Sequence, residues 1–247
     1  MPKTQNRGKM MFLARLLTDS AVLTRFVVDE ENLNSSNIPI HYNTLEGNQP
    51  NTYDNKFFVW QTDGWEVNGS PDNTFPIDSD HASGPITFTD VGLTDANYLL
   101  GYAVGNDPKA VATTCRLETQ GGGKYKVITP EADEAFLFET TNITRTTVTY
   151  RFRIPTGYGA EGAGDWVGVW KGSTGSYLYD ETRAPITSKN VTIDEPSGTV
   201  PLVLSNGQQF VSGSSYMLGY FKSGYNRTKP EDSKRTTLAA IIKFKGP

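Results

Sequence analysis

Residues 164–171 read Gly-Asp-Trp-Val-Gly-Val-Trp-Lys, so alternate positions put Trp166, Gly168 and Trp170 on one side and Val167 and Val169 on the other. A segment that is apolar on both sides reads as a buried strand. Phe57-Phe58-Val59-Trp60 gives a shorter version of the pattern in the first half of the chain. Similar runs predict strands at residues 9–17 and 21–29 around a Thr18-Asp19-Ser20 turn, then at 84–89, 97–104 and 110–118. In the second half they fall at 135–140, 146–154, 199–205, 208–211, 216–222 and 237–245, the last a closing strand beside lysines that discourage further pairing. No stretch sustains the i, i+3, i+4 spacing of a long helix. Many short strands broken by Gly, Asn, Asp and Pro predict an all-β fold of antiparallel sandwiches.

The strand-like blocks recur in order. Val22–Val28 matches Val148–Ile154, Phe57–Trp60 matches the Trp166 strand, Gly84-Pro85-Ile86-Thr87-Phe88 matches Gly198-Thr199-Val200-Pro201-Leu202, and Tyr98-Leu99-Leu100-Gly101-Tyr102 matches Tyr216-Met217-Leu218-Gly219-Tyr220. Phe12-Leu13 pairs in the same way with Phe136-Leu137. The lengths between blocks differ, as surface loops allow. The expectation is two immunoglobulin-like sandwich domains related by internal duplication, residues 1–120 and 121–247, each with its own core. Gly121-Gly122-Gly123 reads as the flexible joint between them, with residues 124–128 a short strand belonging to either. Residues 30–55 are rich in Asn, Ser, Pro and Gly around the apolar island Ile38-Pro39-Ile40-His41-Tyr42, and read as a long loop.

Asp165-Trp166-Val167-Gly168, following a strand that ends at Ile154 and preceding the Tyr-rich strand at Tyr216, resembles immunoglobulin-like SKICH-type domains and the amino-terminal sandwich domain of purple acid phosphatases. The resemblance covers about one domain and implies a targeting or protein-contact module separate from any catalytic part. The first half has Asn55-Lys56-Phe57-Phe58 where Asp-Trp-Val-Gly stands in the second.

Composition narrows the function. A chain of 247 residues carrying a net charge of −4 and no long basic run lacks an electrostatic footprint for nucleic acid. No apolar run approaches the ~18 residues of a membrane span. The amino terminus, with Arg15 and Asp19 interrupting its apolar residues, is not that of a secretory leader, so cytoplasmic synthesis is expected, a non-classical release route staying open. On that view the sequons at Asn34, Asn68, Asn142, Asn190 and Asn226 are incidental. The single Cys115 sits in a strand pattern and reads as a packed, inert thiol.

The two histidines, His41 and His81, do not make a His-rich metal cage, and neither a GxSxG elbow nor an HExxH helix is present. Asp72, Asp78, Asp80 and His81 cluster without calcium-loop spacing, and Glu231 and Asp232 beside Lys229 and Lys234 read as a solvated loop. The expectation is a non-enzymatic protein without a cofactor or metal. Sugars stack on aromatic faces and bond through their hydroxyls, and three loops offer both functions: Trp65 with Asp63 and Asn68, Tyr177 and Tyr179 with Asp180, and Tyr225 with Asn226. Trp60, Trp166 and Trp170 are expected in the cores. A lectin-like protein recognising a glycan or a protein surface follows, the alternative being a structural, self-assembling protein or a toxin component acting with a partner chain.

Overall fold

A computed structural model describes residues 21–247. The strand predicted at residues 9–17 and its Phe12-Leu13 block lie outside them. The described chain is all-β, its strands arranged in four antiparallel sheets.

In the first half the strands are β1 (Val22–Leu23), β2 (Arg25–Val28), β3 (Ile38–Asn43), β4 (Lys56–Gln61), β5 (Asn73–Pro76), β6 (Ser83–Phe88), β7 (Tyr98–Ala103), β8 (Val111–Gly121) and β9 (Lys124–Ile128). The second half adds β10 (Leu137–Ile143), β11 (Thr147–Arg153), a one-turn helix α1 (Ala160–Ala163), β12 (Trp166–Lys171), β13 (Thr187–Asn190), β14 (Ser197–Val203), β15 (Ser215–Phe221) and β16 (Leu238–Lys245). The first unit sets a small sheet β2-β3-β6 against a large sheet β5-β4-β7-β8-β9, and the second sets β10-β11-β14 against β13-β12-β15-β16-β1. Aromatic rings fill each interior. Phe57 meets Phe26, Phe88 and Tyr102 at 4.7, 5.3 and 5.1 Å in one unit, and Tyr220 meets Phe138 and Phe152 at 5.4 and 5.7 Å in the other.

The two units match strand for strand, and the register shows it. Gly101 stands opposite Phe58, and Gly219 opposite Gly168, which aligns Trp60 with Trp170. Gly84 lies opposite Tyr42 and Gly198 opposite Phe152, so β3 is the equivalent of β11. The sequence match of residues 22–28 with 148–154 is therefore one strand out of step. It misses because β3 lies within residues 30–55, the stretch read as a loop. Ile38, Ile40 and Tyr42 alternate as buried positions with Pro39, His41 and Asn43, and they form the central strand of a three-stranded sheet.

Sheet membership departs from a cut at residue 120. The glycines 121–123 are not a joint: they close the β8–β9 hairpin, with Gly121 opposite Lys124 and φ of 64° and 73° at Gly122 and Gly123, values that side-chain-bearing residues rarely adopt. β9 accordingly completes the first unit. Residues 21–29 do not form one strand, for at Thr24 the chain breaks, its N–H donating to Ala239 O at 3.0 Å. β1 goes to the second unit beside β16, in the place β9 holds in the first, while β2 stays with its own half. β16 thus has neighbours on both sides where β1 meets it at Ala240 and Ile241, and Lys243 and Lys245 lie beyond that pairing. Residues 208–211 hold no strand, only the isolated bridge between Ser212 and Gly246 nearby.

Two separate interiors were expected, and here the structure differs. The principal cluster of buried apolar residues has members in both units, from Val28 to Phe244. Each large sheet is apolar on its outer face as well, so the halves cover one another. Val167 and Val169 belong to the sandwich interior, whereas Trp166 and Trp170 lie on the opposite face in a second cluster with Met217, Phe221, Leu238 and Ile241. Gly168 leaves room for these rings, since a Cβ there would stand 2.6 Å from Trp170. Over them lie Leu178 and, from the first unit, Leu45.

One polar contact is repeated in both units. Where β4 begins, buried Asn55 accepts from Tyr102 Oη at 2.9 Å and from Asn48 Nδ2 at 2.8 Å. Where β12 begins, its counterpart Asp165 accepts from Tyr220 Oη, from Lys222 Nζ and from the Ser223 N–H, each at 2.8 Å. Burial pushes the Asp165 carboxyl up, against the opposing pull of Lys222 and its hydrogen bonds. Lys222 follows β15 where Val104 follows β7, so charged Asp meets Lys in one unit and neutral Asn is paired with a valine position in the other. Removing one member of a buried pair leaves an uncompensated charge, whereas removing both leaves neither. Lys222→Val alone should cost about 3–5 kcal/mol of unfolding free energy, and Asp165→Asn with Lys222→Val should recover most of it; urea denaturation of the single and double variants checks this.

Candidate functional site

The segment after β4 crosses from the first unit toward the second. Its hairpin-like turn is tied to β7 and β8: the Thr62 N–H donates to Asn97 O at 3.1 Å, Asn97 Nδ2 donates to Asp63 at 2.7 Å, and Asn97 Oδ1 accepts from the Thr119 N–H at 2.9 Å. Beyond it, Val67 is buried and its N–H donates to Thr156 O at 2.7 Å, while Thr156 Oγ1 donates to Trp65 O at 3.2 Å. The next residue, Gly157, has φ of 118°, and a Cβ there would fall 2.0 Å from Val67 O. Only glycine allows this approach.

Beside these bonds is a cleft of about 350 Å³ lined by Thr62, Gly64, Trp65, Glu66 and Asn68 from one unit and Glu134 and Thr156 from the other. Trp65 is half-buried, and the Arg116 guanidinium lies over its ring at 5.5 Å, an attraction between a cation and the electron-rich ring face. Asn68 Nδ2 donates to Glu66 Oε2 at 2.8 Å. Glu134 is carried on a turn in which the N–H groups of Glu134 and Ala135 both reach Glu131 O.

Of the ligand residues expected from the sequence, the cleft brings together Trp65 and Asn68, with Asp63 on the turn beside them bonded to Asn97. The other five lie elsewhere. Tyr177 and Tyr179 pack on the outer face of the second large sheet, Tyr177 beneath Arg183 at 3.8 Å and Tyr179 stacked on Tyr53 at 5.5 Å. Burial drives the Tyr179 hydroxyl well above its ordinary range. Asp180 bonds Thr182 and Arg183, the Thr182 hydroxyl above all holding its carboxyl below the usual range. Arg235 donates to the carbonyls of Asp180 and Arg183, and Trp170 Nε1 to that of Arg183 at 2.9 Å, which fastens this loop to the sheet. Tyr225 covers Trp166 at 6.4 Å, and Asn226 Oδ1 accepts from the N–H groups of Thr228 and Lys229, closing a turn. The three tyrosines are part of the cover of an apolar sheet face.

Glu66, Glu134, Thr156 and Arg116 were not foreseen. Glu134 and Thr156 stand far from Trp65 in sequence, and no local pattern marks them. Among the described residues no group of His, Cys, Asp or Glu is arranged to hold a metal ion. Asp72 accepts from the Gln61 N–H at 2.6 Å, and Asp80 holds the Thr52 N–H and hydroxyl, both structural duties. Cys115 is buried, and burial raises its thiol far above the thiolate range. No helix among the described residues is long and apolar enough to cross a membrane.

No family model matches the chain, and no curated protein matches it. Among solved structures, a DUF3823 family protein from Bacteroides uniformis is similar over 91% of this chain and 99% of that one, at 12% identity and a TM-score of 0.31. A DUF3823 family protein from Bacteroides ovatus is similar over 83% of this chain and 91% of that one, at 14% identity and a TM-score of 0.25. Similarity this low carries no weight for function.

Because Tyr177 and Tyr225 cover the sheet, Tyr177→Ala and Tyr225→Ala should each lower stability by about 1–3 kcal/mol. Thermal unfolding followed by near-ultraviolet circular dichroism of the tryptophans reads this directly.

Proposed function

We propose that the cleft between the two units binds a carbohydrate and that the protein is a non-catalytic glycan-recognition module. The observation that carries the reading is the composition of the cleft: a tryptophan set among two carboxylates, an amide and two threonine hydroxyls. A sugar ring has an apolar face for an indole and hydroxyls for the surrounding oxygens. The volume of about 350 Å³ is at the lower end of ligand sites and suits one or two sugar units of a longer chain. The walls come from both units and are joined by the two hydrogen bonds of Thr156, so the site is formed before any ligand arrives. The resemblance of the second unit to SKICH-type and purple acid phosphatase sandwich domains fits the same reading, since such domains make contacts and leave chemistry to others.

On a glycan array, wild-type protein should bind a subset of glycans, and Asn68→Ala should weaken that binding about tenfold by removing one or two hydrogen bonds. Trp65→Ala should abolish it with the fold retained by circular dichroism. Tyr177→Ala should leave it unchanged. A blank array for the wild type, or equal binding by Trp65→Ala, refutes the reading.

A second reading, self-association, is favoured by Val27 and Val203, exposed by 67% and 58% on the edge strands β2 and β14. Light scattering across a hundredfold range of concentration decides it: growth of an oligomer that Val27→Lys abolishes supports assembly, and a constant monomer mass refutes it.

A further inference from the structure

We infer that the cleft distinguishes sugars by charge, accepting neutral and amino sugars and turning away acidic ones; this rests on the glycan reading above. Asn68 Nδ2 gives one of its two protons to Glu66 Oε2, which leaves a second N–H and the Oδ1 acceptor for a ligand. The Thr156 hydroxyl proton is committed to Trp65 O. Thr62 Oγ1 accepts from the Gly64 N–H at 3.1 Å and keeps one proton to offer. Against these neutral donors stand the carboxylates of Glu66 and Glu134.

No cation balances them from the walls. Among the described residues neither Glu66 nor Glu134 is in an ion pair, and no lysine or arginine lines the cleft. Arg116, over the Trp65 ring, pairs with Glu118 at 3.5 Å, and Arg153 donates to Ala132 O; neither lines the cleft. A ligand that brings donors is therefore favoured. Sugar hydroxyls do so, and an ammonium does so with a favourable charge, whereas a sugar carboxylate would meet two like charges and only neutral donors.

The test uses the methyl glycosides of glucosamine, glucose and glucuronic acid, which differ in one functional group each, titrated into the full chain at neutral pH and followed by ligand-observed NMR. The expected order is glucosamine tightest, glucose weaker, and glucuronic acid weakest by at least severalfold. Glu134→Gln should narrow the spread between the first and last. A glucuronide that binds as well as the glucoside overturns the charge selection while leaving glycan binding in place. Failure of all three to bind overturns the glycan reading and this inference together.

Discussion

A β-sheet apolar on both faces has to be covered twice, and in this protein the requirement arises two times over. In β12 the valines face the sandwich interior and the tryptophans face outward, and β4 divides Phe57 and Val59 from Phe58 and Trp60 in the same way. One companion sheet covers the inner face. The outer face needs loops and the other unit, which is why Leu45 sits over Trp166 and Trp170, why the turn at Gly175–Leu178 lies beneath Glu46 and Gly47, and why the buried cluster passes from one unit to the next. The duplication thus produced a joined pair rather than two beads on a string.

The copies diverged most informatively at the strand-start contact. Asn55 with Tyr102 and Asp165 with Tyr220 hold the same place, and the residue after β7 or β15 matches the charge: valine beside the neutral amide, lysine beside the carboxylate. A buried charge is tolerated only when paired, and Lys222 is the partner that Asp165 requires. β1 shows another kind of divergence. The edge that β9 takes in the first unit is taken in the second by β1, a strand from the other half of the chain.

The cleft follows from the same junction. Where Trp65 and Val67 leave the first unit they meet Thr156 and Gly157 of the second, and Gly157 lets the backbones come close enough to bond. Carboxylates from both sides then face one opening. A site of this kind belongs to neither unit, and its character is that of an interface: half-buried aromatic surface, an arginine stacked behind it, and acidic rims.

Strand periodicity, turn residues and the repeated blocks were enough to specify an all-β, duplicated chain, because alternation of apolar and polar positions is a local property that any sheet must satisfy. The same signal put Trp65 and Asn68 on a loop, since Asp-Gly and Asn-Gly pairs mark turns wherever the chain goes. It failed at β3, whose three buried residues are embedded in polar sequence, and at the glycines 121–123, where a flexible joint and a tight hairpin have the same composition. It carried no sign that Tyr177, Tyr179 and Tyr225 pack against the outer face of a sheet. Which outer face is covered by which loop, which edge β1 joins, and which distant carboxylate meets Trp65 depend on contacts between residues far apart in the chain. Only the packed structure decides those, because the free energy of burying a surface depends on the surface that comes to lie against it.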